Sequence, residues 1–138
     1  MILYLDTSAL VKVFVEESHS PEVRTAAKLA GACATSRIAY VEFFSALARR
    51  EREGLEPSKP QDIRDSFETA WPGLMLVEVS RIITVRAAGF ARLHALRAFD
   101  AIHLASAQEI YETAPDMVFA CFDDRLNLGA RAQGMRTL

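Results

Sequence analysis

Apolar residues follow two spacings along this chain, and one of them predicts strands. Residues 1–5, 74–79 and 117–122 are short apolar runs, nearly free of charged and turn residues, as expected for strands buried on both faces of a parallel sheet. Residues 32–35 form a weaker run of the same kind, and residues 135–137 predict a short edge strand. The first and last of the three clear runs each lead directly into an aspartate.

The segments between these runs place apolar residues three and four positions apart, which predicts helices. Ser36 and Ser80 are expected N-caps, and Gly54 is an expected stop. The predicted helices cover residues 8–17, 21–29, 36–54, 61–71, 80–94, 99–113 and 125–133. Strands that alternate with helices indicate an α/β fold of three layers, with a central, mostly parallel sheet covered by helices on both sides.

Composition narrows the class of protein. With 138 residues and no repeat or long linker, we expect one domain over residues 1–138. The net charge of −2 argues against a broad nonspecific nucleic-acid surface, although local basic patches remain compatible with it. Cys33 and Cys121 lie in apolar runs and predict buried free thiols, which fits a cytoplasmic protein. No apolar run has the length of a membrane span, and Asp6 comes too early for a signal peptide.

Four carboxylates occupy positions where a purely structural role would favour an apolar residue. Asp6 and Asp123 each follow an apolar strand, whereas Glu42 and Asp100 lie in apolar stretches of predicted helices. An unpaired buried carboxylate is so costly that it usually protonates, pairs with a cation or binds a metal. Each position therefore needs either a structural or a chemical explanation.

The structural explanations are local. Asp6, Asp100 and Asp123 stand at predicted helix starts, where a carboxylate caps free backbone N–H groups. Glu42 has Arg37 or Arg49 as possible ion-pair partners, although neither has the favourable i,i+4 spacing.

The chemical explanation takes the four acids together. In open α/β sheets, ligands bind beyond the carboxyl ends of the strands, so these acids can meet in one cleft. Clustered carboxylates without a cation repel one another, and an all-oxygen set favours Mg²⁺ or Mn²⁺. Because no nucleophile–base pair is evident, such a site suits metal-assisted attack of water on a phosphodiester.

Four blocks of the sequence resemble those of PIN-domain ribonucleases, and within that family the chain is most similar to VapC toxins of bacterial toxin–antitoxin pairs. The blocks lie at residues 6–10, at Glu42 with residues 46–49, at residues 96–105 and at residues 122–126. No single block is decisive, but the set of four, in this order and spacing, is specific and spans essentially the whole chain.

The resemblance implies a PIN-like α/β/α fold with an acidic pocket that holds Mg²⁺ or Mn²⁺. It matches Asp6, Glu42 and Asp100 to the family's three main acids and Asp123 to a fourth, more variable one. Ser8 matches a hydroxyl that supports the first aspartate. It also implies an RNA substrate (often tRNA or ribosomal RNA), a homodimer, and a small antitoxin whose tail lies across the pocket.

One residue departs from the family pattern. Cys121 stands two residues before the last acid, where the family usually has Thr or Ser, and a thiol is a poor hydrogen-bond donor. The neighbouring Asp124 therefore remains an alternative to Asp123 as the fourth acid.

The expected function is a metal-dependent endoribonuclease, the toxin of a toxin–antitoxin pair, in which metal-activated water cleaves RNA. The alternative is a non-catalytic PIN-like binding module. A phosphoacceptor signalling domain is disfavoured, because it usually needs an acidic pair after the first strand and a late lysine. Asp6 stands alone, and no lysine follows Lys59.

Three further features have a structural and a functional interpretation, and the structural one is favoured in each case. His103 is expected to be a satisfied polar group in a packed helix rather than a metal contact or water relay. Arg49, Arg50 and Arg52 are expected on a solvated face rather than as a phosphate-binding row. Core packing is favoured over a dimer face for four residues of one helix: Tyr40, Phe43, Phe44 and Leu47.

Overall fold

A computed structural model describes all 138 residues and contains one sheet of five parallel strands. The strands are β1 Ile2–Leu5, β2 Ala32–Ser36, β3 Met75–Val77, β4 Val118–Ala120 and β5 Arg136–Thr137. Their order across the sheet is β3-β2-β1-β4-β5, so the uncharged first strand lies in the middle. Tyr4 is paired with Ala34 on one side and Phe119 on the other. The predicted α/β fold is confirmed, and the sheet is parallel throughout.

Seven helices connect and cover the strands. They are α1 Thr7–Phe14, α2 Ser20–Leu29, α3 Ala39–Arg52, α4 Lys59–Ala70, α5 Arg81–His94, α6 Ala98–Tyr111 and α7 Asp124–Ala132. A 3₁₀ turn over Trp71–Gly73 follows α4. Three of the helices begin at an oxygen-bearing side chain that accepts a backbone N–H bond: Asp6 for α1, Ser80 for α5 and Asp123 for α7.

Several predicted boundaries differ from the structure, and tertiary contacts explain two of them. Ser36 does not cap α3, because it is the last residue of β2 and its Oγ only reaches the backbone N–H of Ile38, at 3.4 Å. The fourth strand ends at Ala120 and not at Phe122. There the Phe122 N–H leaves the ladder and donates to Ser8 Oγ at 3.1 Å.

Helices lie on both faces of the sheet, and each face has its own apolar core. Leu3 and Leu5 point into the core shared with α1 to α4, whereas Tyr4 points into the core shared with α5 to α7. All three side chains are fully buried or nearly so. Because each large apolar side chain contributes about 2 kcal/mol when buried, the central strand anchors both layers.

Of the four α3 residues, Phe43, Phe44 and Leu47 pack in the core as predicted, whereas Tyr40 is 36% exposed. Phe43 and Leu47 are buried, and the Phe43 ring stacks on Phe67 of α4 at 3.8 Å between centroids. Tyr40 and Phe44 contact the same Phe67 ring.

The cysteine prediction is half right. Both cysteines are free thiols, but Cys121 is buried and Cys33 only half-buried. No helix combines the length and the apolar character that crossing a membrane requires.

Candidate active site

Four carboxylates from four segments line one cavity of about 880 Å³. Asp6 follows β1 and Asp123 follows the neighbouring β4, so the parallel strands bring both to the same edge of the sheet. Glu42 reaches the cavity from α3 and Asp100 from α6. Asp124, the first residue of α7, is exposed and is not part of the cavity lining.

Asp6 caps a helix and also faces the cavity. Its Oδ1 accepts from Ser8 Oγ at 2.7 Å and from the Ala9 N–H at 2.9 Å. The Ser8 hydroxyl oxygen accepts in turn from the Phe122 N–H, so Ser8 links α1 to the turn that carries Asp123. Both bonds use the same oxygen of Asp6, which leaves Oδ2 available to a ligand.

The turn after β4 is closed by Cys121. The Asp123 N–H donates to Cys121 Sγ at 3.2 Å, and Asp123 Oδ1 caps α7 by accepting from the Leu126 N–H at 2.9 Å. Burial and the nearby Asp6 carboxylate raise the pKa of the Cys121 thiol well above its usual range, so the thiol stays neutral. Sulfur therefore accepts a bond at this position, and Asp123 is held although no hydroxyl is present.

Asp100 is not a helix cap, contrary to the structural interpretation of its position. It lies in the first turn of α6 and caps no backbone N–H group, and its closest cation is Arg97 Nε at 3.9 Å. Burial, followed by the negative charges of Asp123 and Asp6, raises the pKa of Asp100. The nearby Arg97 offsets these effects only in part, so the negative charge of Asp100 is incompletely balanced by the protein.

Glu42 is held by side chains from two other segments, and a third segment supports one of them. Its Oε1 accepts from Thr7 Oγ1 at 2.7 Å and lies 2.7 Å from His103 Nε2, while Tyr4 OH lies 3.0 Å from His103 Nδ1. A proton on His103 Nε2 allows this ring to donate to Glu42. Burial alone would raise the pKa of Glu42, but the bonds from His103 and Thr7 outweigh it and lower that pKa.

The two arginines considered as partners of Glu42 are bound elsewhere. Arg49 pairs with Glu53, and Arg37 pairs with Glu78. His103 is a satisfied buried group, since its ring is 1% exposed and both nitrogens have partners, but it also lines the cavity and one of those partners is Glu42. Sequence reasoning missed Thr7 and Tyr4. Only Tyr4 carried a signal in the sequence, because it is a hydroxyl-bearing residue in an otherwise apolar, buried strand.

The model of the family described as PIN domain matches residues 3–128. The chain belongs to the PIN-domain family. It is similar to ribonuclease VapC49 of Mycobacterium tuberculosis, with 37% identity over 136 residues, 98% of this chain and 93% of the relative. It is also similar to ribonuclease VapC46 of the same organism, with 32% identity over 137 residues, 99% of this chain and 95% of the relative.

Solved structures agree with this PIN-domain fold. FitAcB from Neisseria gonorrhoeae has a TM-score of 0.70 at 18% identity and covers 100% of this chain and 96% of its own. VapBC2 from Rickettsia felis, solved with a DNA fragment from their promoter, has a TM-score of 0.62 at 15% identity. It covers 100% of this chain and 98% of its own.

A basic rim borders the acidic floor of this PIN-domain cavity. Arg49, Arg50 and Arg52 of α3 all line it, together with Arg97. Arg49 and Arg52 are exposed, as predicted for a solvated face, whereas Arg50 is half-buried and pairs with Glu17 at 2.8 Å. The cavity thus offers carboxylates for a cation and guanidinium groups for phosphates.

The donor set fits a hard divalent cation. The available ligands are carboxylate oxygens, and the pKa of Asp100 is raised first by burial and then by the negative charges of Asp123 and Asp6, which a cation would neutralise. In this structure no three His, Cys, Asp or Glu side chains lie close enough together to hold one metal ion directly. Mg²⁺ usually keeps several waters and takes one or two carboxylates directly, so an open arrangement suits it.

Proposed function

We propose that this chain is a metal-dependent endoribonuclease and the toxin of a toxin–antitoxin pair. The observation that carries the proposal is the convergence of four acids from separate segments on one cavity with a basic rim. Membership of the PIN-domain family and the similarity to relatives named ribonuclease VapC support the same reaction class.

In this proposal Asp6, Glu42 and Asp100 hold Mg²⁺ or Mn²⁺, and Asp123 completes the site directly or through water. Asp124 lies outside the cavity lining and is not needed. The bound cation would neutralise charge on the scissile phosphate and acidify a water molecule for in-line attack.

The chain itself prepares the site. Ser8 fixes one oxygen of Asp6, so that the other remains available to a ligand. His103 and Thr7 keep Glu42 ionised and orient its carboxylate. Hydrogen-bonded supports of this kind typically change metal affinity or activity by about 10- to 100-fold when they are removed.

The partners in this proposal are RNA, a small antitoxin and a second copy of the chain, in the cytoplasm. The solved structures similar to this chain include a toxin–antitoxin complex from Klebsiella pneumoniae, which supports an antitoxin partner. Transfer RNA or ribosomal RNA is the first substrate to examine.

The test is cleavage of purified tRNA and ribosomal RNA by the full chain, with Mg²⁺ or Mn²⁺ and with excess chelator. We expect cleavage only with the ion, and none by Asp6→Asn, whose amide oxygen can still cap α1. Equal melting temperatures would show that the variant is folded. Cleavage in chelator, or by Asp6→Asn, contradicts the mechanism. No cleavage together with no Mn²⁺ binding favours the non-catalytic binding module.

A further inference from the structure

Phe99 is an aromatic side chain that the fold does not use. Its side chain is 50% exposed, and it belongs to neither apolar core. Every other Phe, Tyr and Trp of the chain packs in one of the two cores or against another ring. The stability of the protein therefore does not explain why a ring is placed here.

The position of Phe99 is next to the candidate metal site. It lines the acidic cavity and directly precedes Asp100 on α6. On α3, Val41 is 60% exposed, lines the same cavity and directly precedes Glu42. Two of the four acids thus have an exposed apolar neighbour at the cavity.

Single exposed apolar residues are common and need no explanation by themselves. Ile82, Val85 and Leu93 of α5 are examples, being 64–70% exposed and outside the cavity lining. Phe99 differs from them in two respects. It offers a flat π-face, and that face borders a cavity with both carboxylate and guanidinium groups.

We propose that Phe99 is a nucleobase-stacking residue, on which an unpaired base beside the scissile phosphate packs, with Val41 forming the apolar wall on α3. Unstacked bases of single-stranded RNA commonly pack on aromatic side chains, and this contact tolerates any base because each has a π-face. Arg97, whose side chain is 90% exposed, and Arg52 are then placed for the flanking phosphates. The inference rests on the proposed RNA substrate and adds how its bases are held.

The experiment measures binding and not cleavage. A fluorescein-labelled pool of random single-stranded RNA, about ten nucleotides long, is titrated by anisotropy with full-length Asp6→Asn protein in Mg²⁺. The same titration is made with Phe99→Ala, Phe99→Trp and Leu93→Ala in that background. Leu93→Ala is the matched control, since it removes an exposed apolar side chain outside the cavity. Melting temperatures establish that all variants fold alike.

We expect Phe99→Ala to weaken RNA binding about tenfold and Phe99→Trp to retain the parent affinity within about twofold. Leu93→Ala should bind like the parent. Because no phosphate contact is removed, the dependence of affinity on salt concentration should keep the same slope in Phe99→Ala. A duplex of the same length should bind more weakly and be insensitive to Phe99.

The proposal is overturned if Phe99→Ala binds the RNA like its parent, if Leu93→Ala loses as much, or if the parent does not bind RNA. Failure of the proposed function is recognised separately. It appears as absent cleavage by the wild-type chain with Mg²⁺ or Mn²⁺, or as cleavage by Asp6→Asn on a gel, whatever the affinities are.

Discussion

Glu42 and Asp100 are carboxylates of the same cavity, yet their surroundings shift their pKa values in opposite directions. Glu42 has His103 and Thr7 as hydrogen-bond partners, and its pKa is lowered even though burial opposes this. Asp100 has Asp123 and Asp6 as charged neighbours, and its pKa is raised by burial and by their repulsion. One carboxylate is already stabilised as an anion, and the other is not.

This difference divides the cavity into two sides. On the completed side, the protein already stabilises the carboxylate as an anion; on the incomplete side, it does not. On the side of Glu42, hydrogen bonds from Thr7 and His103 already stabilise the anion, so its geometry is set before any ligand arrives. On the side of Asp100, which faces Asp6 and Asp123, negative charge remains for a cation to balance. The comparison therefore predicts that substitutions on the two sides differ in their effects on stability although both reduce activity.

The largest effect is expected from Asp100→Asn, which removes a proposed ligand from the incomplete side. RNA cleavage should fall by more than the about 100-fold that loss of a supporting partner costs. The rate is measured in single-turnover cleavage at saturating Mn²⁺. If Asp100→Asn lost less cleavage activity than His103→Leu, the proposed difference between the two sides of the cavity would be contradicted.

A smaller loss is expected from His103→Leu, which removes the main partner of Glu42. Activity should fall about 10- to 100-fold, and the free energy of unfolding by about 2 kcal/mol, because a carboxylate loses its donor. His103→Gln is the matched control, since its amide can still donate to Glu42. Cleavage rates and urea unfolding measure both effects. Equal activity of the Leu and Gln variants would contradict the positioning role.

When a chelator removes all divalent ions, substitutions of the two acids should change the stability of the protein in opposite directions. Glu42 has a lowered pKa, so its stabilisation is present above its unfolded-state pKa and is lost as the pH falls through the folded-state value. Asp100 has a raised pKa, so its destabilising charge is present above the folded-state value and disappears on acidification.

At neutral pH we therefore expect Glu42→Gln to melt about 4 °C below the wild type and Asp100→Asn about 2 °C above it. Both differences should shrink as the pH falls through the range in which carboxyl groups protonate. Calorimetric melting at several pH values checks this. Shifts of the same sign would mean that the two sides of the cavity are not electrostatically distinct.

The smallest effect is expected from Asp124→Asn, because Asp124 is exposed and lies outside the cavity lining. Cleavage should stay within about twofold of the wild type, as for a surface position without specific partners. Asp123→Asn should lose about tenfold or more, which a parallel rate measurement resolves. The reverse order would assign the fourth acid to Asp124.

The fold could be predicted from the sequence because the strands are apolar runs and the helices space their apolar residues three and four positions apart. The sequence was not sufficient for the boundaries that tertiary contacts decide. The end of β4 depends on Ser8, which lies 114 residues away from Phe122. The start of α3 follows from Ser36 being taken into β2. Local propensity carries no information about either contact.

The four acids were found from the sequence because each is a charged residue in apolar company. Their partners were not, since spacing rules consider only neighbours on the same helix. The bond from His103 to Glu42 joins residues 61 positions apart, and no local pattern predicts it. The capping interpretation was also incomplete, because Asp6 and Asp123 cap helices and line the cavity at the same time.

The most direct measurement is calorimetric titration of the chain with Mn²⁺. The account predicts saturable binding by the wild type, binding weakened by about tenfold or more in Asp6→Asn and Asp100→Asn, and unchanged binding in Asp124→Asn. Absence of binding to the folded wild-type chain, or equal affinity in all four proteins, would contradict the claim that these carboxylates form one cation site.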